Sequence, residues 1–336
     1  MELWKFLTEP SPELFFSRND ESDPRMGDLV LHKRKNLSDD VRVGIIGVPD
    51  DTGVKRNLGR PGAKDAPDEI RKAFYKLTPF SLSKGRPLAA EKKQISDLSI
   101  VDFGNVKTGA SLEQTHERLE AAVSELLSRS IFPIVLGGGH DIAYPVFAAL
   151  SRTTKSAPTG SSTSVINIDA HLDVRRPNPR RNSGTSFRQM LDHPHRPLMP
   201  MHLVEIGIQP FVNAREHYHW LLEKGATIFS LQEMKKEGIV KILDLAYEIA
   251  ANSTDALYMS FDMDAVRSAD APGVSAPNPS GLSPEEIFLA AEFAGRRHKT
   301  KVVDIVEVNP RHDADGRTCR LAALAIMHVL LGFTNR

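Results

Sequence analysis

One cysteine, Cys319, stands alone among 336 residues. No intrachain disulfide can form, a zinc site built from thiolates is excluded, and a reducing cytoplasm is the simplest compartment. A surplus of charge is also missing. The 43 Lys and Arg balance 43 Asp and Glu, so nothing draws the chain to nucleic acid or to an anionic membrane. No apolar run approaches the roughly 20 residues of a membrane span. The start, Met-Glu-Leu-Trp-Lys-Phe-Leu, lacks the charged beginning and long apolar stretch of a secretory signal. No internal repeat is visible. What is present is the composition of an ordinary soluble globular protein, 40% hydrophobic and 26% charged, in a chain long enough for a large core.

Residues 1–40 are polar and irregular, with the charged run Asn19-Asp20-Glu21-Ser22-Asp23. They read as an arm or surface lead-in to a single domain over 41–336. From Val41 onward apolar runs alternate with helical patterns. Strands are expected at 42–48, 98–103, 131–136, 164–169, 202–208, 226–230, 256–262 and 301–307. They are continuous rather than alternating, as in strands buried on both faces. Helices are expected at 66–77, 112–129, 141–151, 213–224, 232–252, 283–296 and 317–332. Ser283-Pro284-Glu285-Glu286 is a helix start: a capping Ser, Pro at the first position, acids in the first turn. The Ser-, Lys- and Thr-rich segments 79–97 and 153–163 read as surface loops, the second long enough to be mobile. The alternation predicts one α/β domain with a mostly parallel sheet.

In open parallel sheets, functional groups gather outside the carboxyl ends of the strands. The strand at 131–136 runs into Gly137-Gly138-Gly139-His140-Asp141, and the strand at 164–169 into Asp169-Ala170-His171-Leu172-Asp173. Two more end in Ser260-Phe261-Asp262-Met263-Asp264 and Glu307-Val308-Asn309-Pro310. His140, Asp169, His171, Asp173, Asp262 and Asp264 make a set of two nitrogen and four carboxylate ligands. Such an oxygen-rich mixture suits a divalent ion such as Mn2+. Four carboxylates exceed what one such ion needs, which points to two. The glycines before His140 allow close approach. Each fragment alone has a plainer explanation, since Asp-x-Asp is usually a solvated turn and Gly-Gly-Gly a flexible one. Three such fragments at three strand ends are much harder to attribute to chance.

As a set and in this order, these motifs resemble the signature of the ureohydrolase superfamily of arginases, agmatinases and formimidoylglutamases. Gly59-Arg60-Pro61-Gly62-Ala63, followed by Pro67 and Ile70-Arg71, is similar to its N-terminal motif. The resemblance runs from about Val41 to Leu331. It implies a three-layer α/β/α sandwich around an eight-stranded, mostly parallel sheet. It further implies two Mn2+ per chain held by the six residues, hydrolysis of a C–N bond in a guanidino or formimidoyl group, and a homo-oligomer, a trimer or hexamer.

Arginases carry an Asn two residues beyond the last ligand of the Asp-x-His-x-Asp motif, and a histidine in Ser-Gly-Asn-Leu-His proposed as a proton shuttle. Here Arg175 and Phe187 stand at those positions. Asp173-Val174-Arg175 followed by Asn182-Ser183-Gly184-Thr185, together with Ala271-Pro272-Gly273-Val274-Ser275-Ala276-Pro277, resembles formimidoylglutamase instead. Formimidoylglutamate carries two carboxylates, and a fixed guanidinium can pair with one of them bidentately. Arg175 is the candidate, with Asn182, Ser183, Gly184 and Thr185 as further substrate contacts. The plainer alternatives are a surface arginine in a basic loop with Arg176, Arg180 and Arg181, a simple turn at 183–185, and a packing aromatic at Phe187. As a mechanism, Asp173 is expected to bridge the ions and aim an activated water, while Glu307 pairs with the amidinium-like nitrogen. N-formimidoyl-L-glutamate and water then give L-glutamate and formamide, a step of histidine degradation. Asp173 or a water is the candidate proton donor to the leaving nitrogen; His312 and Asp313 read as loop residues outside the site. The alternatives are another ureohydrolase acting on a guanidino compound (arginase, agmatinase or guanidino-acid hydrolase), or a non-catalytic metal-binding relative.

Overall fold

The continuous apolar runs assemble into one sheet. The computed structural model describes residues 2–32, 40–80, 94–154 and 160–336, together with the short segments Leu82–Ser83, Arg86–Pro87 and Ser156–Ala157. The main sheet holds β1 (Leu7–Thr8), β2 (Val43–Gly47), β3 (Ile100–Val106), β4 (Phe132–Leu136), β5 (Thr163–Ile168), β6 (Leu203–Ile208), β7 (Thr227–Ser230), β8 (Ala256–Asp262) and β9 (Thr300–Val306). Their order across the sheet is β1-β3-β2-β4-β9-β8-β5-β6-β7. The eight strands from β3 to β7 are parallel, and β1 runs antiparallel beside β3.

Alternate residues of each strand feed two helical layers. Ile134 and Leu136 pack with α1 (Ala66–Phe74), α6 (Leu231–Glu237), α7 (Ile239–Ala251), α8 (Pro284–Arg296) and α9 (Arg317–Thr334). Val135, between them, packs with α2 (Leu112–Ser128), α3 (Ala143–Thr153), α4 (Ser186–Leu191) and α5 (Arg215–Lys224). This is the expected three-layer sandwich. Ser283 caps α8 as its sequence suggests, accepting from the Glu286 amide while Glu286 accepts from the Ser283 amide.

Several local readings change. The N-terminal segment is irregular but is no surface lead-in: Leu3, Trp4 and Leu7 are buried in one layer, and Leu14, Met26 and Val30 in the other. These apolar residues come in short clusters, such as Leu3-Trp4 and Leu14-Phe15-Phe16, separated by polar stretches, so no helical or strand period runs through them. The helix expected at 232–252 breaks into α6 and α7 at Gly238, whose φ of 85° falls where glycine is favoured. The short helix α4 carried no clear signal. The helix expected at 317–332 belongs to Ala314–Thr334, which, against the expectation of no such run, is long and apolar enough by length and composition to cross a membrane. It packs as a core helix against α8 and α1, burying Leu321, Ile326, Val329 and Leu330. Within the expected loops, short antiparallel pairs join Leu82–Ser83 to Arg86–Pro87 and Ser156–Ala157 to Gly160–Ser161. The segment 153–163 expected to be mobile includes positions 155 and 158–159, which lie outside the described residues.

One buried ion pair ties α1 to β3. Arg71 is wholly buried, with Nε 2.7 Å from Asp102 Oδ2 and Nη2 3.0 Å from Asp102 Oδ1. It also donates to the Gly104 carbonyl and to Asn105 Oδ1. Truncation would strand a buried carboxylate, so Arg71→Ala is expected to cost on the order of 3–5 kcal/mol in urea unfolding. A loss under about 1 kcal/mol, the size of an exposed pair, would contradict this role.

Candidate metal centre

The centre lies at the carboxyl ends of four adjacent strands, β4, β9, β8 and β5, in the middle of the sheet. Chain order reverses repeatedly across these strands, which opens a crevice above their ends. Beyond β4, Gly137–Gly139 lead to His140. A Cβ on Gly138 would come within 1.8 Å of the Asp50 carbonyl oxygen, so only glycine permits that approach. β9 stops just before Glu307, β8 ends on Asp262 and turns through Met263–Ala265 to bring up Asp264, and β5 runs into Asp169, His171 and Asp173.

All six residues proposed as ligands meet there. His140 Nδ1 lies 3.2 Å from Asp169 Oδ2, 3.2 Å from Asp173 Oδ2 and 3.0 Å from Asp262 Oδ2. His171 Nδ1 lies 3.3 Å from Asp264 Oδ2 and 3.5 Å from Asp169 Oδ1. The ligand atoms fall into two groups, His140-Asp169-Asp173-Asp262 and Asp169-His171-Asp264, each with its atoms within 4.8 Å of one another. Asp169 belongs to both. Asp173 falls in the first group alone and follows a loop, whereas Asp169 is the first residue past β5 and central.

The donor set fits divalent cations. His140 Nδ1 and Asp264 Oδ1 are buried without a hydrogen-bond partner, although carboxylate oxygens surround the imidazole nitrogen. Five buried carboxylates, counting Glu307, crowd two imidazoles, a charge balance that cations would restore. Supporting contacts fix the ligands from behind. Ser260 Oγ meets His140 Nε2 at 3.0 Å, and the His171 amide donates to Asp169 Oδ1 at 2.7 Å. Asp141, next to His140, turns away and pairs with His116 Nε2 at 2.8 Å.

Two of the site's acids are held in an unusual backbone shape. Asp173 has φ 45° and Glu307 φ 63°, in the left-handed region that costs a non-glycine residue about 1 kcal/mol or more. Such strain persists where surrounding contacts enforce it, and both residues were already singled out for catalysis. The Glu307 carboxylate accepts from the His140 amide at 2.7 Å through Oε1, and Oε2 is buried with no partner.

A cavity of about 260 Å³ opens onto the centre. His171, Asp173, Asp262, Asp264 and Glu307 line it, with Arg175, Ser183, Asn57, Arg60 and Ser275 among the rest of its wall. Arg175 Nη1 is 3.9 Å from Asp173 Oδ1. Of the expected substrate contacts, only Arg175 and Ser183 reach the wall. Asn182, Gly184 and Thr185 are spent on the turn itself: Asn182 Oδ1 accepts from the Gly184 amide, and Thr185 Oγ1 donates to the Asn182 carbonyl. Gly184 has a further use, since a Cβ there would sit 2.3 Å from Arg175 Nη1. Phe187 is fully buried and packs edge-on against the His140 ring, 5.3 Å between centroids, which is the packing role. Asp313 caps α9, accepting from the Thr318 and Cys319 amides at 2.9 Å. Asn57, which donates to Ser183 Oγ at 3.1 Å, went unnoticed because nothing local marks it.

Residues 41–332 match the model of the arginase family. The chain belongs to the arginase family. Among its members, the formimidoylglutamase of Psychrobacter cryohalolentis is 34% identical over 308 residues, covering 86% of this chain and 85% of that one. In structure, the formiminoglutamase of Trypanosoma cruzi, solved with manganese, superposes with a TM-score of 0.83 at 33% identity, covering 94% of this chain and 99% of that one. The formimidoylglutamase of Bacillus subtilis gives a TM-score of 0.84 at 26% identity, over 99% and 98%. The B. subtilis superposition takes in the N-terminal segment, which the family match, starting at residue 41, leaves out.

The same crowding predicts a pH effect on the metal-free protein. Burial, then the charge of Asp264, hold Asp262 well above the usual carboxyl range; burial also raises Asp264 and pushes Glu307 up to about 8. Asp264 raises His171, and three carboxylates outweigh burial to raise His140. The folded chain therefore keeps protons that the unfolded chain releases above 3.8–4.5 for the acids and 6.5 for the histidines. Stability falls as pH rises wherever the native state binds more protons. Asp169, held low, opposes this only below its unfolded value of 3.8. Chelator-treated protein should melt at a lower temperature at pH 8 than at pH 5.5 in calorimetry; a flat or rising profile would count against the arrangement.

Proposed function

We propose that this chain is a binuclear manganese hydrolase that cleaves N-formimidoyl-L-glutamate, with water, to L-glutamate and formamide. The observation that carries the substrate is Arg175, a guanidinium on the wall of the cavity that also holds Asp173 and Glu307. A substrate with an amidine at one end and carboxylates at the other matches a cavity with acids at the centre and Arg175 on its wall. Relatives named formimidoylglutamase over most of the chain's length support the same choice. Manganese suits the donor set, and the T. cruzi formiminoglutamase was solved with it.

His140, Asp169, Asp173 and Asp262 would hold one ion, and Asp169, His171 and Asp264 the other. Two bound ions supply hydroxide at neutral pH, by lowering the pKa of water toward about 7. The protein's own groups do the rest. Glu307 Oε2, unpartnered and buried, offers an acceptor to the formimidoyl N–H, a charge-assisted bond once the group is cationic. Asp173, fixed by its strained backbone, accepts from the attacking water. Arg175 anchors a substrate carboxylate, with Ser183 beside it. Phe187 supplies no proton, so the leaving nitrogen takes one from Asp173 or a water. We also place the enzyme in histidine degradation, in the cytoplasm and as a homo-oligomer; family resemblance supports these readings.

A panel of formimidoylglutamate, arginine, agmatine and guanidinobutyrate with Mn2+ tests the substrate. Formimidoylglutamate should be hydrolysed fastest, and rapid urea release from arginine would overturn the choice. Arg175→Ala should lower kcat/KM for formimidoylglutamate about 10- to 150-fold, mostly through KM, the worth of a hydrogen bond to a charged group of about 1.5–3 kcal/mol. An unchanged kcat/KM would remove Arg175 from substrate binding.

A further inference from the structure

Two residues short of the ligand carboxylates, the sheet carries a polar row among apolar neighbours. Glu205 on β6 stands in register with Asn167 on β5, Asn167 with Ser260 on β8, and Ser260 with Asp304 on β9. All four are fully buried. Residues in register across a sheet share a face, here the face from which Asp169 and Asp262 project two positions further on. Burying polar side chains in a layer that is otherwise largely apolar costs stability. The cost is only partly cancelled locally: Asn167 donates to Glu205 and Tyr258 to Asp304, but Asn167 Oδ1, Glu205 Oε1 and Asp304 Oδ1 find no hydrogen-bond partner.

The row reaches Asp169 through one atom. Asn167 Nδ2 donates to Glu205 Oε2 at 2.8 Å and to Asp169 Oδ2 at 3.3 Å. The amide nitrogen has two hydrogens, one for each carboxylate. The shorter bond, to Glu205, fixes the plane of the amide, and the fixed plane aims the second hydrogen at Asp169. Neither residue lines the cavity, so neither meets substrate. Asp169 is the carboxylate that both ligand groups share, and a tilt of its plane would disturb both.

We propose that Asn167, clamped by Glu205, is a positioning residue for Asp169 and that this pair sets manganese affinity. The inference rests on the manganese reading above, and is separable from the substrate because affinity is measured without substrate. Groups that orient metal ligands typically carry about 10- to 100-fold in metal affinity.

The test is a chelator-competition titration of Mn2+ on the full chain, paired with melting of the metal-free protein. The double variant Asn167→Leu/Glu205→Leu should bind Mn2+ about 10- to 100-fold more weakly. Its metal-free form should melt no lower than wild type, since both polar partners leave together for apolar groups of similar size. Glu205→Gln keeps an oxygen to accept from Asn167 and should stay close to wild-type affinity. If the double variant does not fold, Asn167→Ala alone decides, with the same expected loss. The proposal is overturned if the folded variants hold Mn2+ as tightly as wild type, or if Glu205→Gln loses as much as the double variant. Wild-type protein that took up no Mn2+ would overturn both this pair's role and the manganese reading.

Discussion

The structure depends on gathering five carboxylates and two imidazoles at one buried edge of a sheet. Left to themselves the acids repel, and burial makes their charge costly. The rest of the design holds them there. Eight parallel strands deliver their carboxyl ends to one side, and the strand order places four of them side by side. Glycine before His140, strained backbone at Asp173 and Glu307, and the polar row under Asp169 and His140 each give up some stability to keep the acids in place. A sheet buried on both faces can bear this, because its two apolar layers supply the core that offsets the local cost.

The division of labour inside the site follows from position. Residues immediately past a strand, such as Asp169 and Glu307, are central and fixed by the sheet. Residues further along a loop, such as Asp173, Arg175 and Ser183, reach the cavity wall. The strand ends therefore supply most of the metal ligands, while the loop after β5, with Asn57, Arg60 and Ser275 from other loops, shapes what else fits. Gly184 contributes no side chain to the wall, but its carbonyl accepts from the Arg175 amide at 2.9 Å and ties the two parts of the loop together.

How much of this the sequence reveals depends on the range of the signal. The strands were legible because each is a continuous apolar run, and the ligands because they follow those runs at short, chemically telling spacings, as in Asp169-Ala170-His171-Leu172-Asp173. Spacing along a strand end does not say which carboxylate lies between two groups of ligand atoms in space, and only the fold places Asp169 in both. Asn182, Gly184 and Thr185 looked like contacts because family motifs do not separate residues that touch substrate from those that shape the turn. The polar row was invisible for a similar reason. Asn167, Glu205, Ser260 and Asp304 are far apart in the chain, and only strand register brings them into line. The burial of Leu3, Trp4 and Leu7 is not legible because so short an apolar cluster carries no sustained period.

The central claim is that the six residues hold two manganese ions sharing Asp169. Metal analysis of Mn2+-loaded, desalted protein, with its electron paramagnetic resonance spectrum, tests it most directly. The account predicts two manganese ions per chain with a spin-coupled spectrum, and conversion of that spectrum to isolated-ion signals in Asp169→Ala. One ion per chain, or two with uncoupled spectra in the unaltered protein, would contradict it.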